Sequence, residues 1–179
     1  MKLISAIVCS AAAIITSLVL PAVASATDVH CTSENGTDIT VIDGRTACRA
    51  ATDPVGRAKS LGIDGVGYAN ATAGAMAVGV GMAGGVGASE GAGGMPIAIG
   101  VGQDAIALSS IDSNEVSRSP GVPIVALSVA LDGSRAGAQT ADRTVVCLGG
   151  GAFAWNSRTG DTCLSTPFGR WQTPVHQLP

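Results

Sequence analysis

"AVGVGMAGGVGASEGAGGMPIAIGVG", Ala77 to Gly102, consists of glycine, alanine and small apolar residues around a single charge, Glu90. Within it Val78, Val80 and Met82 hold one parity, and Ala77, Gly79 and Gly81 the other. Ile97, Ile99 and Val101 alternate in the same way with Ala98, Gly100 and Gly102. The pattern returns at Val125, Leu127, Val129 and Leu131 against Ala126, Ser128 and Ala130. Period-two alternation is the mark of β-strands. Here bulky residues alternate with small ones, whereas an ordinary half-buried strand alternates apolar with polar. A glycine or alanine face suits a strand that another backbone approaches closely.

The bulky rows start near 78, 97, 125 and 145, about twenty residues apart, with one polar insertion, "SSIDSNEVSRSPG" (109–121). "GGVGASEGAGG" (84–94) reads as a glycine-rich turn between rows. A loose repeat of this length predicts stacked rungs. The expected fold is all-β, with a β-solenoid or β-roll-like Gly/Ala-rich central region and disulfide-closed ends; an irregular β-sandwich is the alternative. On this reading Val78, Val80, Ile97 and Ile99 are buried, while Gly79 and Gly100 face a neighbouring chain segment or subunit. A flexible linker would lack ordered Val/Ile rows. A membrane helix is the sharper rival, because Gly65 to Ser89 carries no charge and has small residues at four-residue spacing. Its eight glycines oppose a helix, each costing about 1 kcal/mol relative to alanine.

Upstream, the first 26 residues read as a secretory signal peptide. Lys2 supplies the basic end, "LISAIVCSAAAIITSLVL" (3–20) the apolar core, and "AVASA" (22–26) the small-x-small cleavage pattern, with the cut after Ala26. Cys9 lies inside the apolar core, the wrong place for a lipid-modified cysteine. The expected product is a single secreted β domain, 27–179. It divides into an N-terminal disulfide loop (27–60), the Gly/Ala-rich rungs (61–144), and a C-terminal disulfide loop and tail (145–179).

Four cysteines remain in that product, an even number that suits two disulfides in an oxidising compartment. Their spacing favours two local pairs, Cys31–Cys48 and Cys147–Cys163, each preceded by a similar run, "GRTAC" and "GDTC". Crossed pairs that tie the two ends together are the alternative. A zinc site is disfavoured because no C-x-x-C pair occurs. Without Lys2 the net charge is about −4, and no basic residue falls between Lys59 and Arg118. Nucleic acid and anionic membrane surfaces are therefore poor partners.

"AVGVGMAGGVGA" (77–88) and "PIAIGVGQDAIALS" (96–109) resemble the head repeats of trimeric autotransporter adhesins. The resemblance implies rungs stacked into a β-roll and an adhesive role. In layout and in its preference for Arg over Lys, the whole chain also resembles small secreted actinobacterial proteins of unknown function.

Motifs that carry chemistry are few. Gly79, Gly81 and Gly84 satisfy G-x-G-x-x-G, but the glycine-rich stretch that follows cannot start the helix a dinucleotide site needs. "GASEG" (87–91) satisfies the nucleophile-elbow pattern around Ser89, which requires a later histidine; only His176 follows, in a Pro-flanked tail. "IGVGQDAIA" (99–107) fits all but the first position of a calcium β-roll nonapeptide. That makes Asp104 a weak metal candidate, with Asp112 and Glu115 as further oxygen donors. His30 reads as a surface residue. Asn35 and Asn70 lie in N-x-T patterns, the first reading better as an Asn-Gly hairpin turn.

No catalytic set assembles from these residues and no cofactor is implied. The expectation is a secreted or cell-envelope protein with a structural, adhesive or binding role, as an envelope component or through self-association, and not an enzyme. A secreted hydrolase and a membrane-active glycine-zipper protein are the alternatives.

Overall fold

The structure, a computed structural model, describes residues 26–112 and 122–173. The signal segment before Ala26, Glu115 within the insertion, and His176 lie outside the described residues. Eight strands form sheet I, in the order β1 (Asp28–Glu34), β4 (Arg57–Ile63), β6 (Met76–Met82), β8 (Met95–Val101), β10 (Val125–Leu131), β13 (Ala152–Asn156), β14 (Thr162–Thr166) and β15 (Gly169–Gln172). Seven form sheet II, in the order β12 (Thr144–Leu148), β11 (Arg135–Gln139), β9 (Ile106–Ile111), β7 (Val86–Ala92), β5 (Val66–Thr72), β3 (Thr46–Thr52) and β2 (Asp38–Asp43).

From β3 to β11 the chain passes from one sheet to the other with every strand, and each strand pairs parallel with the strand two places on. Val66 thus lies beside Val86 and Val86 beside Ile106, as Val78 lies beside Ile97 and Ile97 beside Leu127. The result is a β-solenoid of about three turns. Backbone hydrogen bonds continue round its corners, Val66 N to Gly85 O at 3.0 Å, Val86 N to Ala105 O at 2.8 Å and Ile106 N to Ser134 O at 3.0 Å. At two corners the bend is made by paired left-handed residues, Ala73-Gly74 (φ 50° and 79°) and Ala83-Gly84 (φ 51° and 86°). Glycine takes the second place because it enters that region without a Cβ clash.

The interior lies between the two sheets, and it is unusually thin. A Cβ added to Gly79 would stand 1.9 Å from Tyr68 O, and one on Gly100 would stand 2.2 Å from Val86 O. Gly81 and Gly87 meet Val66 O and Val80 O at 2.1 Å in the same test. Where slightly more room exists, alanine fills it, and Ala69, Ala98, Ala107 and Ala126 are fully buried. Facing sheets normally stand about 10 Å apart, with large side chains interdigitating. Here backbone oxygens of the facing sheet stand where a Cβ would be, which leaves no room for interdigitating side chains.

That spacing reverses the expected placement of the bulky rows. Val78, Val80, Ile97 and Ile99 are half-buried on the outer face of sheet I, not in the core. Gly79 and Gly100 do face a neighbouring backbone, and their closeness to it is what excludes larger residues from the inside. Hydrophobicity alone puts the valines inside. Steric room puts them outside.

Other expectations change with it. The stretch 84–94 contains strand β7, which has few bulky residues because its inner positions are Gly87, Ser89 and Gly91. The row near 145 is β12, which pairs antiparallel with β11 in sheet II and does not continue the rows of sheet I. The parallel ladder begins at β3, ahead of the expected start at 61. Asn35 and Gly36 are both left-handed (φ 56° and 76°), as an Asn-Gly turn requires. They carry the chain from sheet I to sheet II, however, because β1 pairs with β4 and β2 with β3.

Antiparallel strands close both ends of the parallel stack: β1 and β2 at the N-terminal end, β12, β13, β14 and β15 at the C-terminal end. The two expected local disulfides are formed, and each joins the sheets at one end. Cys31 on β1 meets Cys48 on β3, and Cys147 on β12 meets Cys163 on β14. Among the described residues no helix is long and apolar enough to cross a membrane.

Candidate functional site

Because the interior is closed by backbone contact, chemistry available to a partner lies on the outer faces of the sheets. Residues opposite one another in register share a face. On the outer face of sheet I, β6 contributes Met76, Val78, Val80 and Met82, and β8 contributes Met95, Ile97, Ile99 and Val101. β10 adds Val125, Leu127, Val129 and Leu131. Phe153 and Trp155 on β13 stand opposite Val129 and Leu127, and Leu164 on β14 lies between Phe153 and Trp171 of β15. No charged residue occupies this face from β6 to β14 among the described residues. Charges gather at one end, on β1 (Asp28, Glu34) and β4 (Arg57, Lys59). Met76 is 46% exposed, Leu131 49% and Trp171 54%, so among the described residues no segment covers the face at these positions. A contiguous apolar surface of this extent is the kind that marks an interaction site.

The outer face of sheet II is chemically mixed. Arg49 donates to both carboxylate oxygens of Asp38, Nε to Oδ1 at 3.1 Å and Nη2 to Oδ2 at 2.7 Å. That hydrogen bonding, first among the causes, holds the Asp38 carboxyl below its ordinary pKa. The same guanidinium lies 5.9 Å from the centre of the Tyr68 ring. Both partners of the ion pair are half-exposed, so it orders the surface more than it stabilises the fold. Further along, Asn70 Nδ2 donates to Glu90 Oε1 at 3.2 Å. Over Gly137, which offers no side chain, a shallow dip of about 230 Å³ opens between Leu108 and Val146, with Arg135 and Gln139 on its rim.

The residues singled out from sequence fall in separate places. Asp104 is exposed in the β8–β9 turn with φ 58°, a conformation Asp tolerates because its side chain bonds locally. Asp112, half-buried, follows β9, and its amide donates to Thr140 Oγ1 at 3.1 Å. No three His, Cys, Asp or Glu side chains gather as a metal site among the described residues. Ser89 points inward and is buried, its hydroxyl 3.5 Å from Tyr68 O, where a substrate carbonyl has no room. His30 is exposed on β1 and bonds Asp28 Oδ2 at 3.2 Å. Gly79 and Gly81 lie inside β6 and Gly84 in the turn after it, followed by a strand instead of a helix. Ala26, the expected cleavage position, is exposed. The next residue, Thr27, is tied in by its carbonyl to Asp64 N at 2.9 Å and by its hydroxyl to Thr46 Oγ1 at 3.2 Å.

One functional-looking residue escaped the sequence reading. Asp53, at the β3–β4 corner, accepts from Ala73 N and Gly56 N at 2.6 Å each and from Val55 N at 3.1 Å. It binds one coil to the next. The Ala73 amide, with those of Gly56 and Val55, holds its carboxyl below the ordinary value. The signal was present in "DPVG" (53–56), where an Asp before Pro starts a turn.

Compared with known proteins, the chain matches the model of the family of unknown function DUF6764 over residues 1–166, and it belongs to that family. No curated protein and no solved structure matches it.

Proposed function

We propose that this DUF6764 member is an exported, non-enzymatic structural or binding module of the cell envelope or its surroundings, whose working surface is the outer face of sheet I. The observation that carries this reading is the uncharged apolar face from β6 to β14. In a chain with 13% charged residues, clearing five adjacent strands of charge leaves a surface suited to contact and poor for solubility. Two disulfides support folding in an oxidising compartment, outside the cytoplasm. The docked Thr27 supports a folded domain that starts just after the expected cleavage at Ala26. The likeness of the 77–88 and 96–109 rungs to adhesin head repeats supports an adhesive use of the same surface. Burial of Ser89 supports a role without catalysis.

Three methionines, Met76, Met82 and Met95, lie on this face, and sulfoxide formation reports their access to peroxide. The test is to oxidise the exported protein in its cellular setting and, separately, after purification and dilution. The three sites should be protected in the first case and modified in the second. Equal modification in both would mean the face contacts nothing, and the reading would fall.

A further inference from the structure

We infer that the partner of this face is a second copy of the chain, packed sheet I against sheet I. The inference rests on the reading of sheet I as the contact surface, and it names the occupant.

Three observations select a second copy. The first is area. Strands stand about 4.8 Å apart and residues on one face recur about every 6.8 Å, so the five strands from β6 to β14 by three intervals project to roughly 500 Å². Two such faces together remove about 1,000 Å² of projected surface, the size a specific interface must clear. The second is shape. The Val, Ile, Leu and Met rows of this face stand in strand register, so they match a second face of the same row spacing, as facing sheets do. The third is charge. Asp28, Glu34, Arg57 and Lys59 all lie at the β1–β4 end. A two-fold axis lying in the interface along the β8–β10 line brings β4 of one copy over β14 of the other. Both charged ends then reach opposite rims, leaving β6 to β13 as an apolar centre. Dimer interfaces have this arrangement, an apolar core inside a polar rim. A lipid surface is the weaker occupant, because the basic residues near the face are matched by acids and the chain is acidic overall.

The experiment is sedimentation equilibrium on the exported chain with both disulfides intact, from about 1 to 100 µM. The expected result is twice the monomer mass for the parent. Ile99→Lys, at the centre of the face, should raise the dissociation midpoint at least about 30-fold, as expected for a central anchor residue. Leu108→Lys, on the outer face of sheet II, should leave it unchanged. Because a lysine could disturb folding, the milder Ile97→Thr/Ile99→Thr double variant is run beside it, with circular dichroism on every variant. Weakened self-association in a folded double variant supports the same conclusion. A single-chain mass for the parent at 100 µM overturns the dimer, as does a dimer indifferent to the sheet I variants. If that monomer still shows protected methionines in its cellular setting, the contact surface stands and the second copy falls. Sedimentation of the monomer with neutral phosphatidylcholine vesicles would identify lipid as the occupant instead.

Discussion

At the scale of single residues, the rule that governs this protein is that glycine lines the inside and isoleucine the outside. A Cβ at position 79 meets Tyr68 O at 1.9 Å, and that oxygen belongs to backbone already engaged in sheet II. Gly79→Ala is therefore expected to cost about 4 kcal/mol or more, in the range reserved for overpacked interiors. Ile99→Ala, although it removes far more hydrocarbon, should cost only about 1 kcal/mol in the monomer, because its side chain lies on the outer face and is already partly exposed. Denaturant midpoints of the two variants, taken at low concentration, would show the inversion directly. Ser60 offers the opposite case. Its hydroxyl is buried and has no hydrogen-bond partner among the described residues, while Ser109 and Ser128 meet at 2.8 Å and Ser109 also donates to Ile97 O. Ser60→Ala should raise stability by about 1 kcal/mol or more, and a lower melting temperature would contradict this. Asp53 carries a pH dependence. Its folded pKa lies below its unfolded value, so its contribution is present above about pH 4 and is lost as pH falls through the folded value. Asp53→Asn should lower the midpoint at pH 6 and flatten its fall towards pH 3.

At the scale of elements, the strands of sheet I were legible from sequence and those of sheet II largely were not. The β6, β8 and β10 rows show in the alternation because their outer residues are bulky. β7 reads "VGASEGA", with small residues on both faces, and so looks like a turn. Which parity is inside could not be read from hydropathy, because it depends on the distance between the sheets. Only backbone contact sets that distance. The disulfides were legible from spacing, but their mechanical place was not: each ties sheet I to sheet II where the parallel stack gives way to antiparallel caps. Each closes a loop of similar length, with sequence separations of 17 and 16. Loss of either should cost about 3 kcal/mol in the chain-entropy picture. Unfolding the Cys31→Ala/Cys48→Ala and Cys147→Ala/Cys163→Ala variants would measure each end separately. A near-zero effect at one end would mean that its cap holds without the bridge. The candidate surface is half legible: its residues stand out in the alternation, but hydropathy places them in the core.

At the scale of the whole molecule, two thin sheets closed on each other leave one mixed face and one apolar face. Where the bulky side chains sit decides how the protein meets its surroundings, and the glycines decide how it holds together. The narrow interior also has a thermal consequence. Unfolding an ordinary domain exposes enough hydrocarbon to raise the heat capacity by about 12–15 cal/mol/K per residue, and this increment bends the stability curve with temperature. Unfolding here wets a great deal of peptide backbone, which lowers heat capacity, and comparatively little new hydrocarbon, because the valines and isoleucines of sheet I lie on an outer face already partly in water. Calorimetry on the monomeric Ile99→Lys variant should return an increment below about 12 cal/mol/K per residue. An increment at or above that value would mean that the glycine slot buries ordinary amounts of hydrocarbon after all. With the smaller increment, free energy varies gently with temperature, and cold would do this protein little harm.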